Sequence, residues 1–175
     1  LAPHFKKMLY DIAQLIELLT DAWQETGSPL YRVRVGETID WVMREMRSSD
    51  GGPFGFASAL DADSEGEEGR FYVWTEGQID DVLGPGEAAF KDAYDVTAHG
   101  NWEGKTILNR SRGLALGADD TEAGFLKCRE TLLAARGKRV RPQRDDKVLA
   151  DWNGMMIAAL AKSGAVFDEP AWVDS

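Results

Sequence analysis

Residues 5–31, FKKMLYDIAQLIELLTDAWQETGSPLY, decide the fold. Apolar side chains at 5, 8, 9, 12, 15, 16, 19, 22 and 23 hold the i, i+3, i+4, i+7 spacing of one helix face, which predicts a helix over 5–23. Leu18 and Tyr10 fall off that stripe and predict burial on more than one side. Gly27-Ser28-Pro29 ends the helix, with Gly as C-cap and Pro preventing continuation. A second helix follows, with Val35, Ile39, Val42 and Met46 on one face, until Asp50-Gly51-Gly52-Pro53 stops it. The far end of the chain repeats this plan. Residues 146–162 predict a helix that is apolar nearly all round, and so buried on all sides. Gly164, Pro170 and Trp172 then stand where Gly27, Pro29 and Tyr31 stand in the first copy. Repeated helical hairpins bury a core by stacking on their neighbours.

Residues 50–118 read as a β-rich insertion between the hairpins. Strands are expected at 54–60 and 70–74, flanking the acidic segment 61–69, and at 106–108. Thr75 is the expected N-cap of a short helix ending near Gly84. Further helices are expected at 87–93 and 121–136. Glu169-Pro170-Ala171-Trp172 reads as a helix's first turn with Pro near N1. Helix-like sequence at both ends leads to the expectation that the chain is a piece of a longer protein.

The composition is globular: of 175 residues, 43% are hydrophobic and 29% charged. No apolar run reaches the roughly 20 residues of a membrane span. A formal charge of -10 repels phosphate backbones and argues against nucleic-acid binding. The single cysteine, Cys128, excludes an internal disulfide or a CxxC pair. A reducing, cytoplasmic setting and a small-molecule or protein partner are expected. The basic run Arg136, Lys138, Arg139, Arg141 and Arg144 reads as a solvated turn pairing with nearby acids.

Several residues are candidates for chemistry. Asp61-x-Asp63-x-Glu65-Gly66 matches the opening of a calcium loop, although the twelfth position is Tyr72 instead of Glu; the alternative is a solvated hairpin tip. No other metal and no cofactor is expected. Glycosidic hydrolysis needs two carboxyls roughly 5 to 9.5 Å apart, one protonated and one ionised. Asp61, Asp63, Glu103 and Asp151 are the candidates, with helix capping and loop hydrogen bonds as the plainer alternative. His4 is the candidate imidazole for proton abstraction beside a carbonyl; His99, in a Gly-rich loop, is expected to be exposed. Tyr72, Trp74, Trp102 and Trp152 offer faces on which a sugar ring stacks, though for Trp152 core packing is the better explanation. Asn101 and Asn153 add polar groups beside them.

Four motifs resemble one family. They are Pro3-His4-Phe5-Lys6-Lys7-Met8-Leu9-Tyr10-Asp11, residues 58–69 (SALDADSEGEEG) with Phe71-Tyr72-Val73-Trp74, Gly100-Asn101-Trp102-Glu103-Gly104, and residues 145–154 (DDKVLADWNG). The chain is thereby similar to the thioredoxin-domain-containing family related to spermatogenesis-associated protein 20. The resemblance implies a mainly α fold, part of an (α/α)6 toroid of the six-hairpin glycosidase and N-acylglucosamine 2-epimerase kind, carrying the β-hairpin-rich insertion. It also implies a thioredoxin-like domain outside this chain. Two expectations of function follow. One is a carbohydrate-active domain, hydrolysing or epimerising a sugar by acid/base chemistry in the toroid cavity. The other is a non-catalytic binding or scaffold module beside a redox domain. Partners expected on this reading are a small saccharide, the remainder of the toroid and the thioredoxin-like domain, with self-association of the piece alone. Lys6 stands where the family motif has Glu, and Gln143 where it commonly has His, so two titratable groups are lost.

Overall fold

The computed structural model describes residues 4–48 and 55–174. In chain order the elements are β1 (Lys7–Met8), α1 (Leu9–Thr26), α2 (Pro29–Glu45), β2 (Ala59–Leu60), β3 (Asp63–Ser64), β4 (Glu67–Glu68), α3 (Glu76–Leu83), α4 (Ala88–Ala93), α5 (Asp119–Arg136), β5 (Arg144–Asp145), α6 (Ala150–Phe167) and α7 (Pro170–Val173). They pack as two compact units. A helical unit comprises Lys6–Asp61 and Gln143–Ser175; a second comprises Leu1–Phe5 and Ala62–Pro142.

The helical unit contains two helical hairpins, α1–α2 and α6–α7. Gly27 closes the first in the left-handed region (φ 64°), its N–H bonded to the Trp23 carbonyl at 2.7 Å. In the second hairpin the equivalent cap is Asp168 (φ 56°), not Gly164. Gly164 lies inside α6, where a Cβ would come within 2.5 Å of Val173 Cγ2 and 3.0 Å of the Glu169 carbonyl. Its missing side chain is what lets α7 fold back so closely. Helices α1 and α6 run side by side in the same direction. Tyr10 meets Trp152 (4.8 Å between ring centroids), the Thr20 and Ser163 hydroxyls share a hydrogen bond at 3.1 Å, and Trp23 meets Phe167 (4.8 Å). Leu9, Ile16, Val35, Ile39, Met156 and Leu160 form the core.

Three expectations change here. Helix α1 starts at Leu9 because Lys7–Met8 pair with β2, and α6 starts at Ala150 because Arg144–Asp145 pair with β2 from the other side. Strand pairing overrides a periodic pattern that runs through both boundaries. Neither helix is buried on all sides. Leu18 is 65% exposed on α1 and Ile157 62% on α6, so each buries one stripe. Helix α2 ends at Glu45, and the 50–53 stop signal lies outside the described residues.

In the second unit, α3 begins with a capping box: Thr75 Oγ1 accepts from the Gln78 N–H, and Gln78 Oε1 accepts from the Thr75 N–H. Helices α3, α4 and α5 enclose Trp74, Ile79, Phe90, Tyr94, Phe125 and Leu132. Cys128 is buried in the same cluster, as expected of a small core residue. Residues 70–74 form turns instead of a strand, and Trp74 makes a single bridge to Thr106. Two tight hairpins have the same cause. Glu65-Gly66 (φ 54° and 78°) joins β3 to β4, and Glu103-Gly104 (φ 48° and 73°) joins Trp102 to Lys105. Two consecutive positive φ values are the signature of a type I′ turn, whose twist matches the flanking strands. Among the described residues no helix is long and apolar enough to cross a membrane.

Candidate functional site

Strands β1, β2 and β5 form an antiparallel sheet in the order β1-β2-β5. Lys7 stands opposite Leu60, and Leu60 opposite Arg144. One step further along, the register brings Lys6, Asp61 and Gln143 into one row. The Asp61 N–H donates to the Gln143 carbonyl at 2.8 Å and holds that row together. Lys6, Asp61 and Gln143 line one cleft of about 510 Å³, with Arg144, Asp145 and Lys147 on the same wall. Three motifs far apart in sequence therefore converge on one polar concavity within the helical unit.

The charges of this cleft are partly committed. Lys147 pairs with Asp145, and Arg144 pairs with Asp146. The Lys147 hydrogen bond holds the Asp145 carboxyl below its ordinary range, against the small opposing effect of burial. Asp145 is thus a fixed anion. Asp61 is exposed at the end of the sheet. Lys6 supplies a donor in the same row. Such a row can hydrogen-bond hydroxyls and pass a proton through Asp61.

Asp151, Trp152 and Asn153 belong to the same unit but do not line this cleft. Asp151 is exposed at the start of α6, its carboxylate accepting from the Trp152 N–H. Trp152 packs edge-on against Tyr10. Asn153 is only 8% exposed, and its amide clasps one backbone segment. Its Oδ1 accepts from the Phe56 N–H at 2.8 Å, while Nδ2 donates to the Phe56 and Leu149 carbonyls at 3.1 and 3.0 Å. It works as a substitute strand partner.

His4, Asp63, Glu65, Tyr72, Trp74, Asn101, Trp102 and Glu103 fall in the second unit. His4, Asp63 and Glu103 are exposed, the last at the tip of its type I′ turn. Among the described residues no three His, Cys, Asp or Glu side chains gather as a metal site. Glu65 and Gly66 form the tip of the β3–β4 hairpin. Tyr72 and Trp102 are brought together by Phe5, which stacks on the first (6.0 Å) and meets the second edge-on (5.1 Å). Burial raises the Tyr72 hydroxyl pKa, with Arg136 opposing. Trp74 is 4% exposed, beneath Arg139. Asn101 bonds both the N–H and the carbonyl of Ile107 and also reaches Asp95, which fixes the Gly100–Gly104 loop.

The basic run departs from its expected role. Arg139 lies 3.9 Å above the Trp74 ring and donates to the Phe71 and Val73 carbonyls at 2.9 and 2.8 Å. Arg136 covers Phe71 and Tyr72, and Arg141 covers Phe71. Arg144 pairs with a neighbouring acid, Asp146. The missed signal is a run of aromatics at 71–74 that meets a run of arginines at 136–141: three arginines cover the rings of Phe71, Tyr72 and Trp74.

No family model matches the chain. It is 34% identical to human spermatogenesis-associated protein 20, across 95% of this chain and 25% of that protein. The mouse protein of the same name is 32% identical, across 93% and 24%. An uncharacterized protein of Caenorhabditis elegans is 27% identical, across 98% and 28%. The chain spans about a quarter of the length of these curated relatives. The chain is thus homologous to one segment of spermatogenesis-associated protein 20.

Proposed function

We propose that the row Lys6–Asp61–Gln143 is a binding and proton-transfer site for a small polyhydroxylated ligand of the saccharide class. The observation that carries the reading is the register that sets three separated motifs side by side in one polar cleft. Sugar hydroxyls need alternating donors and acceptors, and a cleft lined by Lys6, Gln143 and Arg144 beside the Asp61 carboxylate supplies both. Asp61 acts as the acid/base group, Lys6 and Gln143 orient the ligand, and Asp145 keeps the field around Lys147 neutral. The two departures from the family motif both fall in this row. Proton transfer here is therefore concentrated on Asp61, where relatives have Glu and His as well.

We read the two hairpins as neighbouring members of an (α/α) toroid. The parallel run of α1 and α6 supports it, since hairpins repeated around a ring present their inner helices in one direction. The rest of the ring and a thioredoxin-like domain lie, on this reading, elsewhere in the longer protein.

The test is turnover by the longer protein on a panel of mono- and disaccharides, followed by NMR. Deuterium entering at the carbon beside the carbonyl reports epimerisation, and a new reducing end reports hydrolysis. Asp61→Asn is expected to lower kcat by about 10²-fold or more. Binding without turnover in the native protein supports the scaffold reading instead.

A further inference from the structure

The second unit holds a cleft of about 600 Å³ whose charge contrasts with the rest of the chain. Arg70, Lys105, Lys138 and Arg139 line it, against the carboxylates Glu65 and Glu67. Both carboxylates are already engaged by Arg70, at 3.0 and 2.9 Å, and Lys105 approaches Glu67 at 3.7 Å. Four cations and two anions leave this cleft two charges positive, within a chain of formal charge -10. The excess resides on two groups. Lys138 is exposed and has no ion pair among the described residues. Arg139 has none either: its Nη1 is spent on backbone carbonyls and its plane on Trp74, which leaves the other edge of the guanidinium uncommitted.

Rigidity and surroundings add to the case. A guanidinium locked on a ring face and on carbonyls loses little entropy when it meets a ligand. Burial and the nearby Arg136 lower its pKa, the mark of a cation held without a counter-charge. Phe71, Val73 and Val140 give the same cleft an apolar wall.

We propose that this cleft binds a small organic anion, a phosphomonoester or carboxylate with an apolar body, through Arg139 and Lys138. The anionic group bridges the open guanidinium edge and the Lys138 ammonium, and the apolar body lies on Val140, which is 56% exposed. The site is independent of the Lys6–Asp61–Gln143 row and does not require that row to be catalytic.

Isothermal titration of the chain with phenyl phosphate tests it, with benzyl alcohol as the neutral control. Saturable binding of phenyl phosphate alone is expected. Lys138→Glu should weaken it by roughly tenfold or more while leaving the circular dichroism spectrum and Tm unchanged, because Lys138 is exposed. Arg139→Lys, which keeps the charge but loses the planar fork, should weaken it as well. No saturable heat up to about 10 mM overturns the proposal. So does equal binding of benzyl alcohol, or an affinity that Lys138→Glu leaves unchanged.

Discussion

Asn153 shows how one side chain can stand in for a strand. Its amide satisfies both the N–H and the carbonyl of Phe56 in a buried setting, while the flanking residues bond to the Arg47 segment. Asn153→Ala should lower unfolding free energy by about 2–4 kcal/mol in urea titrations, since two buried backbone groups lose their partner. Asn153→Asp restores only the acceptor and should recover part of that loss. Gly69 has a comparable role in the second unit. It sits at φ 72°, and a Cβ there would come within 2.7 Å of the Phe5 ring. Gly69→Ala should cost about 1–3 kcal/mol and disturb the Phe5–Tyr72–Trp102 cluster, read by near-ultraviolet circular dichroism. Glu122 sets a pH dependence. Burial works to raise its pKa, but the Gly117 N–H and Arg110, whose Nη1 reaches both carboxylate oxygens at 2.9 Å, hold it below 4.5. A carboxylate depressed in the folded state stabilises above its unfolded pKa, and that contribution is lost as pH falls through the folded value. Stability should therefore decline below about pH 4.5, and Glu122→Gln should flatten the decline.

At the scale of elements, hairpin geometry depends on small residues in two different ways. Gly27 supplies a left-handed cap, whereas Gly164 supplies space. Gly164→Val should push α7 off α6 and cost about 2–4 kcal/mol, measured by chemical denaturation; Gly27→Ala should cost about 1 kcal/mol. The helices were legible from periodicity, and the Thr75 cap from the N-cap preference of threonine. Strands of two residues were not legible, because they carry too few side chains to show a period, and pairing with distant segments defines them. The Glu103-Gly104 turn was missed, and the Glu65-Gly66 turn was read only as the hairpin-tip alternative, for a related reason. Asn-Gly and Asp-Gly are the familiar type I′ pairs, and the Glu residues invited a reading as metal ligands or catalytic acids.

At the scale of the whole molecule, acidity is not spread evenly. The chain carries a formal charge of -10, yet the cleft lined by Lys138 and Arg139 is positive and the cleft around Asp61 is balanced. Of the candidate site, Asp61 was legible because it lies in a motif. Its neighbours Lys6 and Gln143 were visible only as departures, since 82 residues separate Asp61 from Gln143 and a sheet register alone brings them together. The candidates Trp74 and Asn153 look functional in sequence for the same reason that they matter in the fold: each is an aromatic or polar group that a core must satisfy. The central claim is that the row Lys6–Asp61–Gln143 binds a polyhydroxylated ligand. The most direct measurement is a thermal-shift screen of the longer protein against neutral saccharides, repeated on Asp61→Asn and Lys6→Ala. A saccharide that raises Tm in the native protein and fails to do so in both variants is the predicted result. A saccharide shift that both variants retain in full would place binding elsewhere and contradict the account.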